Sequence, residues 1–211
     1  MVQFKRMAPS EVASEQQHFI LNRRGSSRRA RRMILLGDLS RTLISSERLT
    51  LRAFTPADAT ESFAEANVRI AKYMSWNPPS SEPEYEAIWK RHVSDIKTGR
   101  ELHLVIRLKT TKEFVGRVGL HPADATLLET GIWIKESAQR HGYGREAVAA
   151  VIEWASKKFY PSGFLYPVVD ENIPSRRLVE GLGGVIIGTR RRCKAGDKIR
   201  NLLLYRIPRR T

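Results

Sequence analysis

From Glu47 onward the apolar and polar positions recur with the periods of regular structure. Arg48-Leu-Thr-Leu-Arg52 alternates as a half-buried strand does. Thr55-Pro-Ala-Asp58 opens a helix, with Thr55 as N-cap, Pro56 at the first helical position and Asp58 in the first turn. The pattern carries that helix to about Tyr73, before a rigid Trp76-Asn-Pro-Pro79 loop. A second helix is predicted over about 83–98, closed by Gly99. A meander follows at 102–108, 114–120 and 129–134, with a turn at 110–112 and a loop at 122–124. Residues 144–160 are strongly helical, with Ala147, Val148, Val151, Ile152 and Ala155 on one face. A strand (164–169), a short helix (175–182) and a hairpin (185–191 with 202–207, around Ala195-Gly-Asp197) complete the chain. The order β-αα-βββ-α-β-α-ββ predicts a mixed α/β fold with a central antiparallel meander and a single crossover.

Before Glu47 the period is lost. A short helix from about Pro9 to Leu21 and an apolar patch at Met33-Ile-Leu-Leu36 flank the run Asn22-Arg-Arg-Gly-Ser-Ser-Arg-Arg-Ala-Arg-Arg32. The division expected is a basic extension over 1–45, mobile unless bound, and a folded domain over 46–211. A start codon assigned too early is the other reading of the extension. No apolar h-region follows the early basic residues, and Glu11 and Glu15 argue against a transit peptide.

Composition sharpens this division. The chain has 211 residues, 41% of them hydrophobic and 28% charged, which suits one globular domain with a tail. No window approaches the roughly 18 apolar residues of a membrane span. Cys193 is the single cysteine, which excludes an intrachain disulfide and a cysteine-based zinc site, and fits a reducing, cytoplasmic setting. The net charge of +15 is concentrated at the ends: residues 1–48 hold 10 Lys/Arg against 4 Asp/Glu, and residues 190–211 hold 9 against 1. Such ends attract polyanions such as RNA, DNA or acidic lipid headgroups, and association with RNA or the ribosome is one expectation among these.

The stretch most informative about chemistry is Glu129-Thr-Gly-Ile-Trp-Ile134, then Gln139-Arg-His-Gly-Tyr-Gly144, then the long helix. A strand, a glycine-punctuated loop and a helix N-terminus make a phosphate cradle, because glycines allow close backbone approach and the first-turn N–H groups face outward. Arg140 and Arg145 add charge at its rim. A plain strand-to-helix turn explains the spacing equally well. The loop lacks the Gly-Lys-Ser/Thr ending of a Walker loop and is not Gly-x-Gly-x-x-Gly.

Gln139-Arg-His-Gly-Tyr-Gly144 resembles the Gln/Arg-x-x-Gly-x-Gly/Ala signature of the GCN5-related N-acetyltransferases (GNAT). Leu128-Glu-Thr-Gly-Ile-Trp-Ile134 is similar to the preceding strand of the RimJ/RimL-type branch, which acetylates protein N-termini and small amines. Asn172-Ile-Pro-Ser-Arg-Arg-Leu178 resembles the later Asn-x-x-Ser/Ala-x-x-Leu motif. Glu47-Arg-Leu-Thr-Leu-Arg52 and Trp76-Asn-Pro-Pro79 fit as well, so the resemblance spans about residues 46–208.

This resemblance implies a splayed mixed sheet of about seven strands flanked by about four helices, with acetyl-CoA between the fourth and fifth strands. The pyrophosphate would lie on Gln139, Arg140, His141, Gly142, Tyr143, Gly144 and Arg145, the pantetheine on Ile132, Trp133, Ile134 and Asn172. Pro167 independently argues for a strand unpaired or bulged on one side, and Asn172 would otherwise serve as a helix N-cap. Glu129 matches an acidic position that acts as base in several relatives; its alternative is a strand-edge carboxylate paired with an arginine. The tyrosine many relatives use as acid, seven residues after the motif's Asn, is Val179 here, which leaves Ser175 as the candidate. Gly183-Gly184 stands where a Gly-Phe is usual and suggests looser packing. Trp76 either floors an amine pocket or packs in the core. His18, His92, His103 and His121 show no metal spacing, and no metal is expected.

The function expected is transfer of the acetyl group of acetyl-CoA to a primary amine, on a protein N-terminus or a small molecule, with a homodimer conceivable from the branch. The alternative is a non-catalytic nucleic-acid-binding or regulatory protein on the same scaffold.

Overall fold

The computed structural model describes residues 36–193 and 199–210. In chain order these are β1 (Leu43–Ser45), β2 (Leu49–Ala53), a 3-10 turn (Pro56–Asp58), α1 (Ala59–Glu65), α2 (Val68–Ala71), α3 (Glu82–Thr98), β3 (Leu102–Leu108), β4 (Phe114–Pro122) and β5 (Leu127–Ile134). A second 3-10 turn (Glu136–Ala138), α4 (Tyr143–Phe159), β6 (Gly163–Val169), α5 (Ile173–Glu180), β7 (Val185–Cys193) and β8 (Ile199–Ile207) follow. The sheet has eight strands in the order β1-β2-β3-β4-β5-β6-β8-β7, antiparallel throughout except for β5 with β6. The described residues thus hold eight strands and five helices, against seven and four expected.

Both differences have local causes. β1 lies inside the stretch assigned by sequence to the extension: it pairs with β2 from Leu43↔Arg52 to Ser45↔Thr50. Leu36, Leu39 and Ile44 are buried in the main core. The segment leading into β1 is tied to the end of α3, where Leu39 N–H donates to Ile96 O at 3.1 Å. Gly99, the left-handed C-cap of α3 at φ 69°, leaves no room for a side chain because a Cβ would collide with the Gly37 backbone. The helix predicted to run from Thr55 to Tyr73 is broken at Asn67, whose side chain accepts from Arg69 N–H and Ile70 N–H and so starts α2 afresh. The Pro9–Leu21 helix, the Arg-rich run, the Met33–Leu35 part of the apolar patch, His18 and the 195–197 turn lie outside the described residues.

The alternation of side chains assigns the two faces of the sheet. Leu51, Leu104, Ile106, Val118, Leu120 and Leu128 lie on the face against which α4 buries Ala147, Val148, Val151, Ile152 and Ala155. Each fully buried Val or Ile there contributes roughly 1.5–3 kcal/mol of apolar transfer. Arg52, His103, Arg107, Arg117, His121 and Glu129 point to the opposite face, the one met by α1 and α3. A sheet face this polar survives burial only because its groups partner one another.

Candidate active site

The sheet is continuous from β1 to β5 and from β6 to β7, but the junction between β5 and β6 is short. Only Leu127↔Gly163, Leu128↔Phe164 and Glu129↔Leu165 pair. From Thr130 and Tyr166 onward the two strands part, while β6 stays paired with β8 as far as Val169↔Leu202. Pro167, the residue without a donor, falls in the stretch that β5 has left. Glu129 therefore stands at the apex of a wedge-shaped opening.

β5 keeps one side for β4. Lys135 N–H donates to Val115 O at 2.9 Å, so by the alternation of an antiparallel ladder Trp133 and Gly131 also direct their backbone groups to β4. A Cβ at Gly116 would run into the Trp133 carbonyl, which agrees. Ile132 and Ile134 accordingly turn their N–H and C=O groups toward the opening. Of Ile132, Trp133 and Ile134, the three residues expected to offer backbone to a ligand, the two isoleucines face the opening. Trp133 is instead ladder-bound, with its ring 5.7 Å from Phe114.

Beyond β5, Gln139 donates from Nε2 to Ile134 O at 3.0 Å and braces the strand end. The loop then turns through two left-handed residues, Arg140 at φ 66° and Gly142 at φ 81°. Gly142 is the N-cap of α4 and no side chain caps the helix, so its first-turn N–H groups face the opening beneath the positive end of the helix dipole. Gly144 is tightly enclosed: a Cβ there would lie 3.2 Å from Leu178 and 3.6 Å from Ile134. His141 is exposed, with its Nδ1 2.7 Å from Gln139 O and its ring stacked on Tyr143. Arg145 does not reach the rim as expected: its guanidinium donates to Gly181 O at 2.6 Å, tying α4 to the end of α5.

Arg48, given no role from sequence, holds this loop in place. Its guanidinium lies 4.7 Å over the Tyr143 ring, donates to His141 O at 3.1 Å and pairs with Glu146 at 2.8 Å. Burial works against the charge of Glu146, yet hydrogen bonds from Arg48 N–H, the Ser46 hydroxyl and the Arg48 guanidinium hold its carboxyl below the ordinary range. The Glu47–Arg52 segment carried the signal, but only the fold brings it to a helix about a hundred residues away.

On the far side of the opening Asn172 caps α5, accepting from Ser175 N–H at 3.3 Å. The capping role is thus real, and it leaves the amide nitrogen of Asn172 for other contacts. Ser175 Oγ lies 3.3 Å from the hydroxyl of Tyr166 on β6. Sequence reading overlooked Tyr166, which is 2% exposed; burial pushes its phenol up to about 12 despite the serine. Val179, at the position of the missing tyrosine, is fully buried. A Cβ at Gly184 would lie 2.6 Å from Val179 Cγ2, so the packing there is tight where looseness was expected. The two departures from the family pattern touch one another.

The remaining wall comes from the α2–α3 connection. Glu136, just before the loop, is bound by Asn67 and Arg69, each at 2.9 Å. At the other end Tyr73 lies 5.6 Å under the guanidinium of Arg200 on β8. The stretch from Asn67 to Tyr73 thus contacts both the segment after β5 and the start of β8, and Trp76, in the α2–α3 connection, is half-buried.

Across the polar face, His121 pairs with Glu129 in the β4–β5 register, and its Nε2 is 3.5 Å from Glu129 Oε1. This imidazole, rather than an arginine, is the partner of Glu129. His103 lies against Glu101 at 3.2 Å and its ring is 3.9 Å from that of His92. His92 Nδ1 in turn meets the buried Arg117 guanidinium at 3.0 Å. Asp95, Glu101 and His103 bring three ligand atoms within 4.8 Å of one another. Arg100 holds Asp95 at 2.8 Å, and Glu101 Oε2 lies 3.2 Å from His103 Nε2. Gly119 and Gly131 face each other in the next register row, and a Cβ at Gly131 would meet nothing within 4 Å.

The acetyltransferase (GNAT) domain model matches residues 48–185. No curated protein matches the sequence. Solved structures share the fold. Spermidine N-acetyltransferase from Vibrio cholerae, in complex with CoA and spermine, is 22% identical, covers 77% of this chain and 96% of its own, and superposes with a TM-score of 0.68. RimJ of Mycobacterium smegmatis, in complex with CoA-disulfide, is 21% identical over 79% and 86% of the two chains at a TM-score of 0.69. The Salmonella typhimurium acetyl transferase that modifies the N-terminal serine of ribosomal protein L7/L12 is 14% identical over 79% and 99% at 0.70. Among the described residues no helix is long and apolar enough to cross a membrane. The chain belongs to the GNAT family and is an acetyl-CoA-dependent N-acetyltransferase.

Proposed function

We propose that the acceptor is a primary amine presented on the polar face of the sheet, over Gly119 and Gly131, and that it is a protein N-terminal amine of the ribosomal-protein type. The observation that carries the reading is the position of Glu129, a carboxylate at the point where β5 and β6 part, with the uncapped start of α4 across the same opening. Two features favour a protein acceptor. The basic ends of the chain draw it to RNA-rich particles, and the N-terminal serine acetyltransferase is among its structural neighbours.

The residues present fit the donor. Gly142 allows backbone to approach a pyrophosphate that Arg140, His141, Tyr143, Gly144 and the first-turn N–H groups of α4 would hold. Ile132 and Ile134 offer outward backbone groups to the pantetheine amides, with the Asn172 amide opposite. When bound, acetyl-CoA supplies an acetyl group activated as a thioester. Glu129 takes up a proton from the ammonium so that the nitrogen lone pair is free. Ser175, held by Tyr166, is placed to donate a hydrogen bond toward the sulfur. A phenol raised to about 12 is a weak acid, so Tyr166 orients the serine rather than supplying the proton. Trp76 closes the acceptor side.

The test is calorimetric titration with acetyl-CoA, paired with a CoA-release assay on a Ser-initiated peptide and on spermidine. Wild type binds in the micromolar range. In Gly142→Trp the indole fills the left-handed cap position and affinity drops about a hundredfold or more, some 3 kcal/mol. Turnover of spermidine with none of the peptide would overturn the protein-acceptor reading.

A further inference from the structure

We propose that Glu129 does not work alone: His121 and Glu129 form a carboxylate–imidazole dyad in which Glu129 faces the acceptor and His121 Nε2 is where the acceptor's proton comes to rest. The inference rests on the acetyl-transfer reading and adds a residue to it.

The geometry comes from one register row. Leu102↔Leu120 places Glu101, one residue before β3, beside His121 on β4, and His121 is itself the cross-strand partner of Glu129 on β5. The imidazole is thus flanked by carboxylates on both sides, and the row ends at Glu129↔Leu165, the last pair before the strands part. His121 is on the inner side of Glu129, and Glu129 is on the side of the opening.

Three imidazoles share this face and meet different surroundings. The groups that face them are Arg91, His92 and Asp95 from α3, Glu101 and His103 at the start of β3, Arg117 from β4 and Glu129 from β5. Burial holds His92 below the usual range, and the charges of His103, Arg117 and Arg91 push it further down. Burial also lowers His103, and with the charge of Arg117 it outweighs the hydrogen bond and charge of Glu101 and the charge of Asp95. Burial acts on His121 in the same direction, but the hydrogen bond and charge of Glu129, with the charge of Glu101, outweigh it and raise the imidazole above 6.5. Of the three, His121 alone is shifted toward holding a proton.

That property answers a chemical mismatch. A carboxylate is a far weaker base than an alkylamine, so direct transfer of the ammonium proton to it is uphill. An imidazole is a stronger base than a carboxylate, so an imidazolium as the product removes part of that cost. The step balances simply: one N–H bond of the ammonium breaks, its nitrogen keeps the electron pair, Glu129 relays the proton, and one N–H bond forms on His121 Nε2. His121 is a positioning residue acting through Glu129.

The test combines two readouts. Histidine-labelled protein is titrated by NMR in wild type and in Glu129→Gln, and pH–rate profiles are recorded for wild type and His121→Gln, with acetyl-CoA affinity and melting temperature as controls. The wild-type His121 imidazole titrates above 6.5 and falls below it in Glu129→Gln. In His121→Gln, kcat falls about a hundredfold, the acidic limb of the profile moves out of the range above 6.5, and acetyl-CoA affinity changes less than threefold. An imidazole titrating at or below 6.5 in wild type, or one unmoved by Glu129→Gln, overturns the dyad. So does an unchanged pH profile in His121→Gln. If no amine is turned over, the acetyl-transfer reading fails separately, and the NMR titration still decides the dyad.

Discussion

Asp58 and Glu129 are carboxylates on the same side of the sheet, and their surroundings could hardly differ more. Asp58 is 1% exposed and receives two hydrogen bonds from Arg52, at 2.7 and 2.5 Å, one from Arg107 at 3.2 Å, and others from Thr55 N–H and its hydroxyl at 2.9 Å each. Burial opposes its charge, but these donors bring its pKa to about 2. Its lone pairs are spent on joining the 3-10 turn to β2 and β3. Glu129 is half-buried, has one imidazole partner at 3.5 Å, and adjoins open ground above Gly131. A saturated carboxylate is a fastener, whereas one with a free oxygen at the edge of an opening can exchange a proton.

The largest effect that would break this contrast is at Glu129. Glu129→Gln preserves shape and removes the proton acceptor, so kcat for the amine falls about a thousandfold, while melting temperature moves by no more than a degree or two. A variant that loses stability but keeps its rate would mean that Glu129 is a fastener too.

Asp58→Asn is the reverse experiment. It leaves Arg52 without its anion and Arg107 with Glu61 alone. Stability falls by about 2.5 kcal/mol, a loss of roughly 5–10 °C in melting temperature, and the folded fraction keeps kcat within threefold. The same group sets the acid limb. A folded pKa of about 2 against an ordinary 3.8 means that its contribution is complete above about pH 5 and is lost as pH falls toward 2. Urea titrations between pH 6 and 3 show wild type losing stability and Asp58→Asn losing about 1 kcal/mol less of it, the rest of the difference closing below pH 3.

Much of this was legible in the chain, and the exceptions share a cause. Gly99, Gly142 and the apolar stripe of α4 are local signals read within a turn or two, and each stands where the pattern put it. β1 was missed because three residues, one of them buried, carry no period. The break at Asn67 was missed because an N-cap inside a continuous apolar pattern looks like an exposed polar position. Motif spacing singled out the loop residues and Glu129 but said nothing of their partners. Arg48 against Tyr143, Arg145 against Gly181, His121 beside Glu129 and Tyr166 against Ser175 depend on strand register or on separations of up to about a hundred residues. Composition and periodicity place a residue on a face; only register says what stands opposite.

The smallest effect tests the ground between Glu129 and the loop before α4. Gly119 and Gly131 are cross-strand partners with neither a side chain nor a helix to fill the row, and they lie between the His121–Glu129 pair and the Arg117–Trp133 pair. If this bare floor is where the acceptor sits, a side chain at Gly131 competes with the acceptor and with nothing else, since a Cβ there touches no neighbour within 4 Å. Gly131→Val should then be neutral or slightly stabilising for a β-strand. It should leave acetyl-CoA affinity unchanged and raise KM for the amine about tenfold, the equivalent of 1.4 kcal/mol. A rise in acetyl-CoA Kd instead would place the donor on this face and move the acceptor elsewhere. Because the effect is on one substrate alone, a calorimetric titration and a single KM measurement suffice to separate the two arrangements.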